Sequence, residues 1–281
     1  MTLGEALKRG TEFLERKGVD TARLDTELLL ARALGLSRLD LYLQYDRPLT
    51  DTELDAGRAL LERRGKREPV AYILGEWGFR ELTLAVDPRV LIPRPGTEVV
   101  VERCLDLVRE LESPRVLDIG TGSGAIALAI ADEHPGARVH AIDASEDALA
   151  VACANAERAG LAERVSFEQH DLHEGLAGNY DLVVANPPYV APEELETLQP
   201  EVRDWEPRGA LVGGGLHEEI AHAGRAVLVH GGWLVLEVGD EQGEAVAGTL
   251  RGLGYESVVV TPDLTGRDRA VEGTWRPAST S

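Results

Sequence analysis

The chain has 281 residues, of which 43% are hydrophobic and 28% charged; this composition is typical of a globular protein with one domain of about 200 residues and a smaller one. No apolar stretch approaches the ~20 residues that cross a bilayer and the first residues lack a signal peptide's apolar core, so we expect no membrane contact and a cytoplasmic location. The net charge is −20, and it is unevenly distributed: residues 1–85 carry 14 basic and 15 acidic side chains, whereas residues 86–281 carry 15 basic and 34 acidic side chains. Because binding to a phosphate backbone needs basic side chains, residues 86–281 are not expected to bind nucleic acid.

Residues 1–78 are predicted to form a small helical domain, because leucines recur at three-to-four spacing through the first 34 residues. Gly35 is a stop signal, and Thr50 with Glu53 forms a capping-box pattern for a helix that ends near Gly65. The basic cluster Arg63–Arg67 is interpreted as a solvated helix end, with RNA contact as the alternative.

Residues 79–96 are predicted to be a β-hairpin linker. Phe79 to Val86 is strand-like, and the prolines of Val90-Leu91-Ile92-Pro93-Arg94-Pro95 exclude a helix there. The domain boundary therefore falls in this stretch. Within it, Arg94 is open to two interpretations, a linker salt bridge or a role near a substrate.

Residues 97–277 alternate between strand-length apolar runs and helical stretches, which predicts an α/β domain with a doubly wound, mostly parallel sheet. The predicted strands are Arg115–Ile119, Arg138–Asp143, Val165–Gln169, Asp181–Ala185, Trp233–Val238 and Tyr255–Val260, with Arg269–Trp275 as a final antiparallel edge strand. Ser145 begins one crossover helix and Gly160 ends it. Cys104 and Cys153 lie in helical patterns and are predicted to be buried thiols.

A glycine-rich loop follows the first of these strands: Gly120, Thr121, Gly122, Ser123 and Gly124 lead into a helix from Ala125 to Glu133. Glycines let a backbone pass close to a ligand at a helix amino-terminus. A phosphate-binding P-loop would continue with Lys and Ser/Thr, where Ala125 and Ile126 stand, and a dinucleotide fingerprint would space its third glycine one residue further on.

Polar residues also end the next strands. Asp143 is placed to accept hydrogen bonds from both hydroxyls of a ribose, although an Asp beside Ser145 could instead cap the helix. Asp171 and Leu172 are placed to meet the amino group and the face of an adenine. With Asn186 these residues share one crevice at the carboxyl ends of the strands, which suits an adenosine-containing cofactor without phosphates.

The segment Asn186-Pro187-Pro188-Tyr189 describes a pocket for one planar nitrogen. The Asn side chain offers an amide oxygen, the two prolines remove backbone donors and stiffen the turn, and the Tyr ring supplies a flat wall. We expect the Asn186 side-chain oxygen and the Pro187 carbonyl to accept the N–H groups of a methyl acceptor. The alternative is a plain turn, since Asn and Pro are common turn formers.

Together, the glycine loop and the Asn-Pro-Pro-Tyr segment resemble S-adenosylmethionine-dependent methyltransferases that modify planar nitrogens, over residues 115–275. Three further segments are similar to release factor glutamine methyltransferases: Arg67–Gly75, Leu91–Glu98 and Glu206–Leu211. The resemblance implies a Rossmann-like class I methyltransferase sheet with a helical N-terminal domain. It also implies methylation of the glutamine of the Gly-Gly-Gln motif of class 1 peptide chain release factors, with S-adenosylmethionine as the methyl donor and no metal. Separately, we expect the protein to be a monomer.

Three positions depart from that family's pattern: Gly96 replaces the usual Glu, Leu172 replaces an aromatic residue, and Gly213-Gly214-Gly215 is a shortened loop. By the same resemblance, the methyl acceptor contacts Asn186, Pro187, Pro188 and Tyr189. His170 and His173 flank Asp171 and are interpreted as solvent-facing loop residues.

Three other functions use the same residues. A nucleic-acid amino methyltransferase would use this pocket for a flipped base, but the charge of residues 86–281 disfavours it. A non-catalytic cofactor-binding module that partners a release factor would tolerate change at Asn186. A nicotinamide dehydrogenase is disfavoured by the glycine spacing.

Overall fold

The structure is a computed structural model that describes residues 1–276, so Pro277, the last residue of the predicted second domain, lies outside the described residues. The chain divides into two compact units. The first comprises Met1–Glu76 with Leu198–Trp205, and the second comprises Trp77–Thr197 with the chain from Glu206 onward.

The helices and strands alternate along the second unit, whereas the first unit is helical. The helices are α1 Leu3–Arg16, α2 Ala22–Leu34, α3 Arg38–Leu43, α4 Asp51–Gly65, α5 Val70–Leu74, α6 Pro95–Val108, α7 Ala125–Glu133, α8 Glu146–Ala159, α9 Pro200–Arg203, α10 Leu216–Val227 and α11 Gly243–Gly252. The strands are β1 Glu76–Phe79, β2 Leu82–Ala85, β3 Arg115–Ile119, β4 Arg138–Asp143, β5 Val165–Gln169, β6 Tyr180–Ala185, β7 Leu228–Glu237, β8 Glu256–Pro262 and β9 Asp268–Trp275.

The helices of the first unit begin and end where their sequence signals predict. Thr50 accepts from the Glu53 backbone while the Glu53 carboxylate accepts from the Thr50 backbone, which confirms the capping box of α4. Gly35 adopts the left-handed conformation after α2 and donates to carbonyls of its last turn. Buried leucines of α1 and α2, including Leu3, Leu7 and Leu30, form the core of this unit.

The prediction of a solvated helix end was wrong for Arg64 and Arg67, although Arg63 and Lys66 are exposed. The Arg64 side chain is 5% exposed; its Nε lies 2.6 Å from Asp25 Oδ2 and its Nη2 lies 2.7 Å from Glu201 Oε1. Arg67 pairs with the same Glu201 at 2.6 Å. Arg64 and Arg67 therefore form an ion network with Asp25 and Glu201 that holds Leu198–Trp205 on the helices of the first unit.

In the second unit, β1 and β2 form a hairpin, and β3 to β9 form a seven-stranded sheet in the order β5-β4-β3-β6-β7-β9-β8. The predicted hairpin is present, but it spans residues 76–85 instead of 79–96. Residues 90–94 lie outside any strand, and Pro95, which was expected to exclude a helix, is the first residue of α6. Strands β3 to β7 are parallel and β9 is antiparallel, as predicted. The edge position predicted for β9 was wrong, because β9 pairs with both β7 and β8 and leaves β8 at the edge.

Both faces of this sheet are covered, so alternate residues of one strand belong to different cores. In β6, Leu182 and Val184 pack in the core that contains α6 and α7, whereas Val183 and Ala185 pack in the core that contains α10 and α11. This arrangement explains the continuous apolar runs in the sequence. It also leaves the carboxyl ends of the parallel strands as the place for polar chemistry.

The two cysteines differ. Cys104 is buried in the α6 core, as predicted. Cys153 is exposed, contrary to prediction, because α8 turns Ala152 and Ala156 toward the core and residue 153 outward. Within residues 1–276, no helix is both long and apolar enough to cross a membrane.

Candidate active site

A cleft of about 470 Å³ opens at the carboxyl ends of β3, β4 and β6, a size suited to a small-molecule ligand. Most of the residues predicted from the sequence line this cleft: Gly120, Thr121, Gly122, Ser123, Asp143, Asp171, Leu172, Asn186, Pro187 and Pro188. Gly124 and Tyr189 are not among the lining residues. The fold thus brings together segments that are up to 68 residues apart in the chain.

The glycine loop leaves β3 with its backbone open to the cleft. Gly120 has φ +73° and Gly122 has φ +56°, and a β-carbon at either position would meet nothing within 4 Å. Only glycine adopts this conformation without strain. Gly124 has a different role, since a β-carbon there would lie 3.3 Å from Ala152 Cβ, where α7 packs beside α8.

The loop is held from behind by Asp118, a residue to which the sequence assigned no role. Asp118 is buried, and its Oδ2 accepts from the Thr121 hydroxyl at 2.7 Å. Burial raises the Asp118 pKa to about 7, although the hydrogen bond from Thr121 opposes this rise. The Thr121 side chain is thus used within the protein, and its backbone is what it offers to a ligand.

Asn155 on α8 is a second support that sequence analysis missed. Its Nδ2 donates to the Ser123 carbonyl at 2.9 Å and its Oδ1 accepts from the Ala85 N–H at 2.7 Å. It therefore joins the glycine loop to the hairpin strand β2. A polar residue within the apolar face of a predicted helix was the available signal.

Asp143 lies at the end of β4, on the cleft. Its Oδ2 accepts from Gly122 N and its Oδ1 accepts from Ser145 N, both at 2.9 Å. Ser145, rather than Asp143, is the residue whose side chain caps α8. Asp143 is thus fixed between the glycine loop and the start of α8, with its carboxylate on the cleft.

Asp171 and Leu172 follow β5. The Asp171 Oδ1 accepts from the His173 N–H at 2.9 Å at the start of a short 3-10 turn, and Leu172 is half-buried on the cleft. His173 is exposed, as predicted, but His170 is half-buried and its Nε2 lies 2.7 Å from the Gly175 carbonyl. Within residues 1–276, no group of three or more His, Cys, Asp or Glu side chains is arranged to hold a metal ion.

Asn186 stands at the end of β6, half-buried, and its Nδ2 donates to the Thr97 hydroxyl at 3.4 Å. Glu237 ends the adjacent strand β7 and is 2% exposed. Burial raises the Glu237 pKa to about 7, while Thr97, Arg269, Arg94 and Asn186 lower it by smaller amounts. Sequence analysis missed both Thr97 and Glu237; a charged residue inside the apolar run Trp233–Val238 was the signal.

The corner that follows Asn186 is packed against two glycines. A β-carbon at Gly213 would lie 2.5 Å from the Pro188 carbonyl oxygen, and one at Gly239 would lie 3.1 Å from the Tyr189 ring. Val190 N donates to the Leu211 carbonyl at 3.0 Å, and Gly213 N donates to the Val190 carbonyl at 3.2 Å. Burial raises the pKa of the Tyr189 hydroxyl, and the charge of Glu237 raises it further.

Arg94 forms an ion pair with Glu206, whose side chain is 1% exposed. Glu206 Oε2 also accepts from Ile92 N at 3.3 Å, and burial raises the Glu206 pKa despite the neighbouring Arg94 charge. Of the two interpretations of Arg94, the salt bridge is thus present, and Arg94 lines the cleft as well. The pair joins the segment before α6 to the segment that begins at Glu206, of which Pro207, Gly209 and Ala210 also line the cleft.

Gly96, the first departure from the family pattern, stands beside Arg269. A β-carbon at position 96 would lie 2.9 Å from Arg269 Cδ. Arg269 in turn pairs with Asp240 at 2.6 Å and with Asp263 at 2.9 Å. The space that a larger residue would fill at position 96 is therefore taken by this arginine.

These features fit S-adenosylmethionine. The open glycine backbone lies beside the carboxylate of Asp143, and the apolar side chains of Ile126, Ile142 and Leu172 offer a surface for a planar ring. The sheet with its antiparallel β9 and this strand-end cleft define a Rossmann-like methyltransferase. A methyltransferase from Pyrococcus furiosus has the same fold, with a TM-score of 0.51 and 18% identity over 78% of this chain and 98% of that one.

Family models match two parts of the chain: the PrmC N-terminal domain over residues 5–75 and the methyltransferase small domain over residues 95–201. A release factor glutamine methyltransferase of Geobacter sulfurreducens is 45% identical, covering 97% of this chain and 96% of that protein. One of Chlorobaculum tepidum is 43% identical, covering 95% of each. The chain belongs to the release factor glutamine methyltransferase family, whose members use S-adenosylmethionine.

Proposed function

We propose that this protein transfers the methyl group of S-adenosylmethionine to the side-chain amide nitrogen of a glutamine, in the Gly-Gly-Gln motif of class 1 peptide chain release factors. The observation that carries this proposal is the position of Asn186, Pro187 and Pro188 on the cleft beside the glycine loop. An acceptor held there lies next to the place where the cofactor is held.

Amide nitrogens are poor nucleophiles, because the lone pair is delocalised into the carbonyl group. We assign to the Asn186 side-chain oxygen and the Pro187 carbonyl the role of accepting the two N–H groups of the glutamine. Both acceptors bind more strongly as positive charge develops on the nitrogen, so they stabilise the transition state as well as orient the amide. Tyr189 lies outside the cleft lining, where its ring packs on Gly239 and supports the corner.

On the cofactor side, the chain offers the backbone of Gly120–Gly124, the Asp143 carboxylate for the ribose, and Asp171 with Leu172 for the adenine. S-adenosylmethionine supplies an electrophilic methyl group on a sulfonium. The amide nitrogen forms its bond to the methyl group as the sulfonium–methyl bond breaks, and the nitrogen then loses one proton to water; the part of the protein is to orient the acceptor.

We assign docking of the release factor to the helical N-terminal domain, residues 1–78, with residues 79–96 as the linker and residues 97–277 as the catalytic domain. The protein acts as a monomer in the cytoplasm, where its substrate is made. Methylation of nucleic acid is disfavoured by the net charge of −19 on residues 86–281, because such an enzyme must bind a phosphate backbone.

Peptide mass spectrometry tests the proposal. The protein is incubated with S-adenosylmethionine and a purified class 1 release factor, and in parallel with RNA. We expect one added methyl group on the Gly-Gly-Gln glutamine. Methylation of the RNA, or of no residue in the factor, would overturn the proposal. A Gln→Glu substitution in that motif is the matched control, since it removes the acceptor nitrogen and keeps the shape.

A further inference from the structure

Glu237 is a buried acid next to the proposed acceptor site, with no function assigned so far. Ala185 of β6 pairs with Leu236 of β7, so the next residues along these parallel strands, Asn186 and Glu237, lie side by side. Glu237 is 2% exposed, and its Oε2 has no hydrogen-bond partner within residues 1–276. A buried carboxylate without full hydrogen bonding destabilises a fold, which suggests that its position serves another purpose.

Thr97 on α6 connects Glu237 with Asn186. The Asn186 Nδ2 donates to the Thr97 hydroxyl oxygen at 3.4 Å. A hydroxyl that accepts from Asn186 still has its own proton to donate, and Thr97 is close enough to Glu237 to stabilise its ionised form. Asn186 has the same effect on Glu237. Thr97 and Asn186 thus both lie beside this carboxylate and favour its ionised form.

This arrangement decides which end of the Asn186 amide faces the cleft. The oxygen and the nitrogen of an Asn side chain are nearly equal in size, so packing alone does not distinguish the two orientations. An ionised carboxylate attracts the NH₂ end and repels the oxygen end. The oxygen is then left on the side of the cleft, which is the orientation that accepts an N–H from a glutamine.

The geometry points to Glu237 as a positioning residue that acts through Thr97 and holds Asn186 with its amide oxygen toward the methyl acceptor. This inference rests on the proposed function of Asn186. Glu237 itself touches neither substrate nor cofactor, since it is absent from the cleft lining.

Protonation of Glu237 should cancel this effect, because a protonated carboxyl group can donate to the Asn186 oxygen and favour the reversed amide. The relevant range is near pH 7, where the Glu237 pKa lies. Among residues 1–276, the polar and charged groups that face Glu237 come from several elements: Arg94 before α6, Thr97 on α6, Asn186 and Tyr189 after β6, and Arg269 on β9. His217 on α10 also faces it, with its Nε2 2.8 Å from the Glu237 carbonyl.

The first test compares Glu237→Gln with the wild type, using S-adenosylmethionine and a release factor. The isosteric amide no longer dictates the orientation of Asn186. We expect kcat to fall at least about tenfold, with KM for the factor and the Kd for S-adenosylhomocysteine within about twofold. The wild-type kcat should fall below pH 7, and this acidic limb should be absent from the variant. A variant with the wild-type rate and pH profile would overturn the inference.

Glu272→Gln is the matched control. Glu272 is also a buried glutamate, on the neighbouring strand β9, but it pairs with Arg103 at 2.8 Å. We expect this variant to lose thermal stability and to keep kcat. An equal loss of kcat in both variants would assign the effect to sheet stability and overturn the role of Glu237.

A second measurement depends neither on catalysis nor on whether the Glu237→Gln variant folds. The side-chain amide resonances of Asn186, assigned by their loss in Asn186→Ala, are followed by NMR from pH 5.5 to 8.5. We expect them to shift with a midpoint near 7 in the wild type, and resonances that do not shift would refute the inference. If the wild type leaves the release factor unmodified, the proposed function fails, and this titration still decides whether Glu237 controls Asn186.

Discussion

Gly213 packs on Pro188 so closely that a β-carbon at position 213 would lie 2.5 Å from the Pro188 carbonyl oxygen. No real β-carbon contact is that short, so any larger residue must displace backbone. The shortened glycine loop is therefore part of the wall that fixes the proline corner, even though it departs from the family pattern.

Gly213→Ala should displace the corner and reduce kcat by about tenfold or more, since misplacement of reacting groups by ~1 Å costs up to ~100-fold in rate. Gly214→Ala is the control, because a β-carbon there meets nothing within 4 Å. Steady-state methylation of a release factor measures both variants. Equal rates for the two would show that the corner tolerates the displacement.

Asp143→Ala should weaken cofactor binding by roughly 10–100-fold, which corresponds to ~1.5–3 kcal/mol for hydrogen bonds to a charged group. The substitution removes the carboxylate offered to the ribose and leaves the Gly122 N–H without its acceptor. Calorimetry with S-adenosylhomocysteine measures the change. The exposed Asp147→Ala should bind as the wild type does, and an unchanged Kd in Asp143→Ala would exclude a contact with the ribose.

Arg64→Ala should lower the free energy of unfolding by about 3–5 kcal/mol, because it leaves Asp25 buried without its partner. Arg58→Ala breaks an ion pair that is exposed on both sides and should cost less than about 1 kcal/mol. Urea unfolding followed by circular dichroism compares them. Similar midpoints for both variants would mean that Arg64 is solvated after all.

Asp118→Asn should gain stability relative to the wild type as the pH rises. Asp118 ionises near 3.8 in the unfolded chain and near 7 in the folded one, so the folded state binds its proton more tightly. The wild type therefore loses stability between about pH 4 and pH 7, by roughly 4 kcal/mol at most. Asn does not ionise and still accepts from Thr121. Melting temperatures at pH 5 and pH 8 check this, and a pH-independent difference would contradict it.

The sequence predicted the strands of the sheet well because their signal is local. Three strands have the predicted bounds: Arg115–Ile119, Arg138–Asp143 and Val165–Gln169. Parallel strands that are buried on both faces appear in the sequence as continuous apolar runs, which makes them easy to locate. The order of strands is not local. The position of β9 between β7 and β8 depends on which strands pair across the sheet, and the residues of β9 alone do not indicate it.

The cleft was predictable for the same reason, since strand ends are local and their carboxyl ends share one edge of the sheet. The supports behind it were not. Arg64 finds its partners 39 and 137 residues away, so its local sequence indicated only a basic helix end. Glu237 and Thr97 are 140 residues apart, and only the fold shows that both lie behind Asn186.

We expect the Asn186 side chain to stabilise the transition state of methyl transfer. Single-turnover rates on a release factor, compared between Asn186→Ala and the wild type at saturating S-adenosylmethionine, test it directly. We predict a rate at least ~100-fold lower, with an unchanged Kd for S-adenosylhomocysteine. A variant that binds the cofactor normally and transfers the methyl group at nearly the wild-type rate would contradict this role of Asn186.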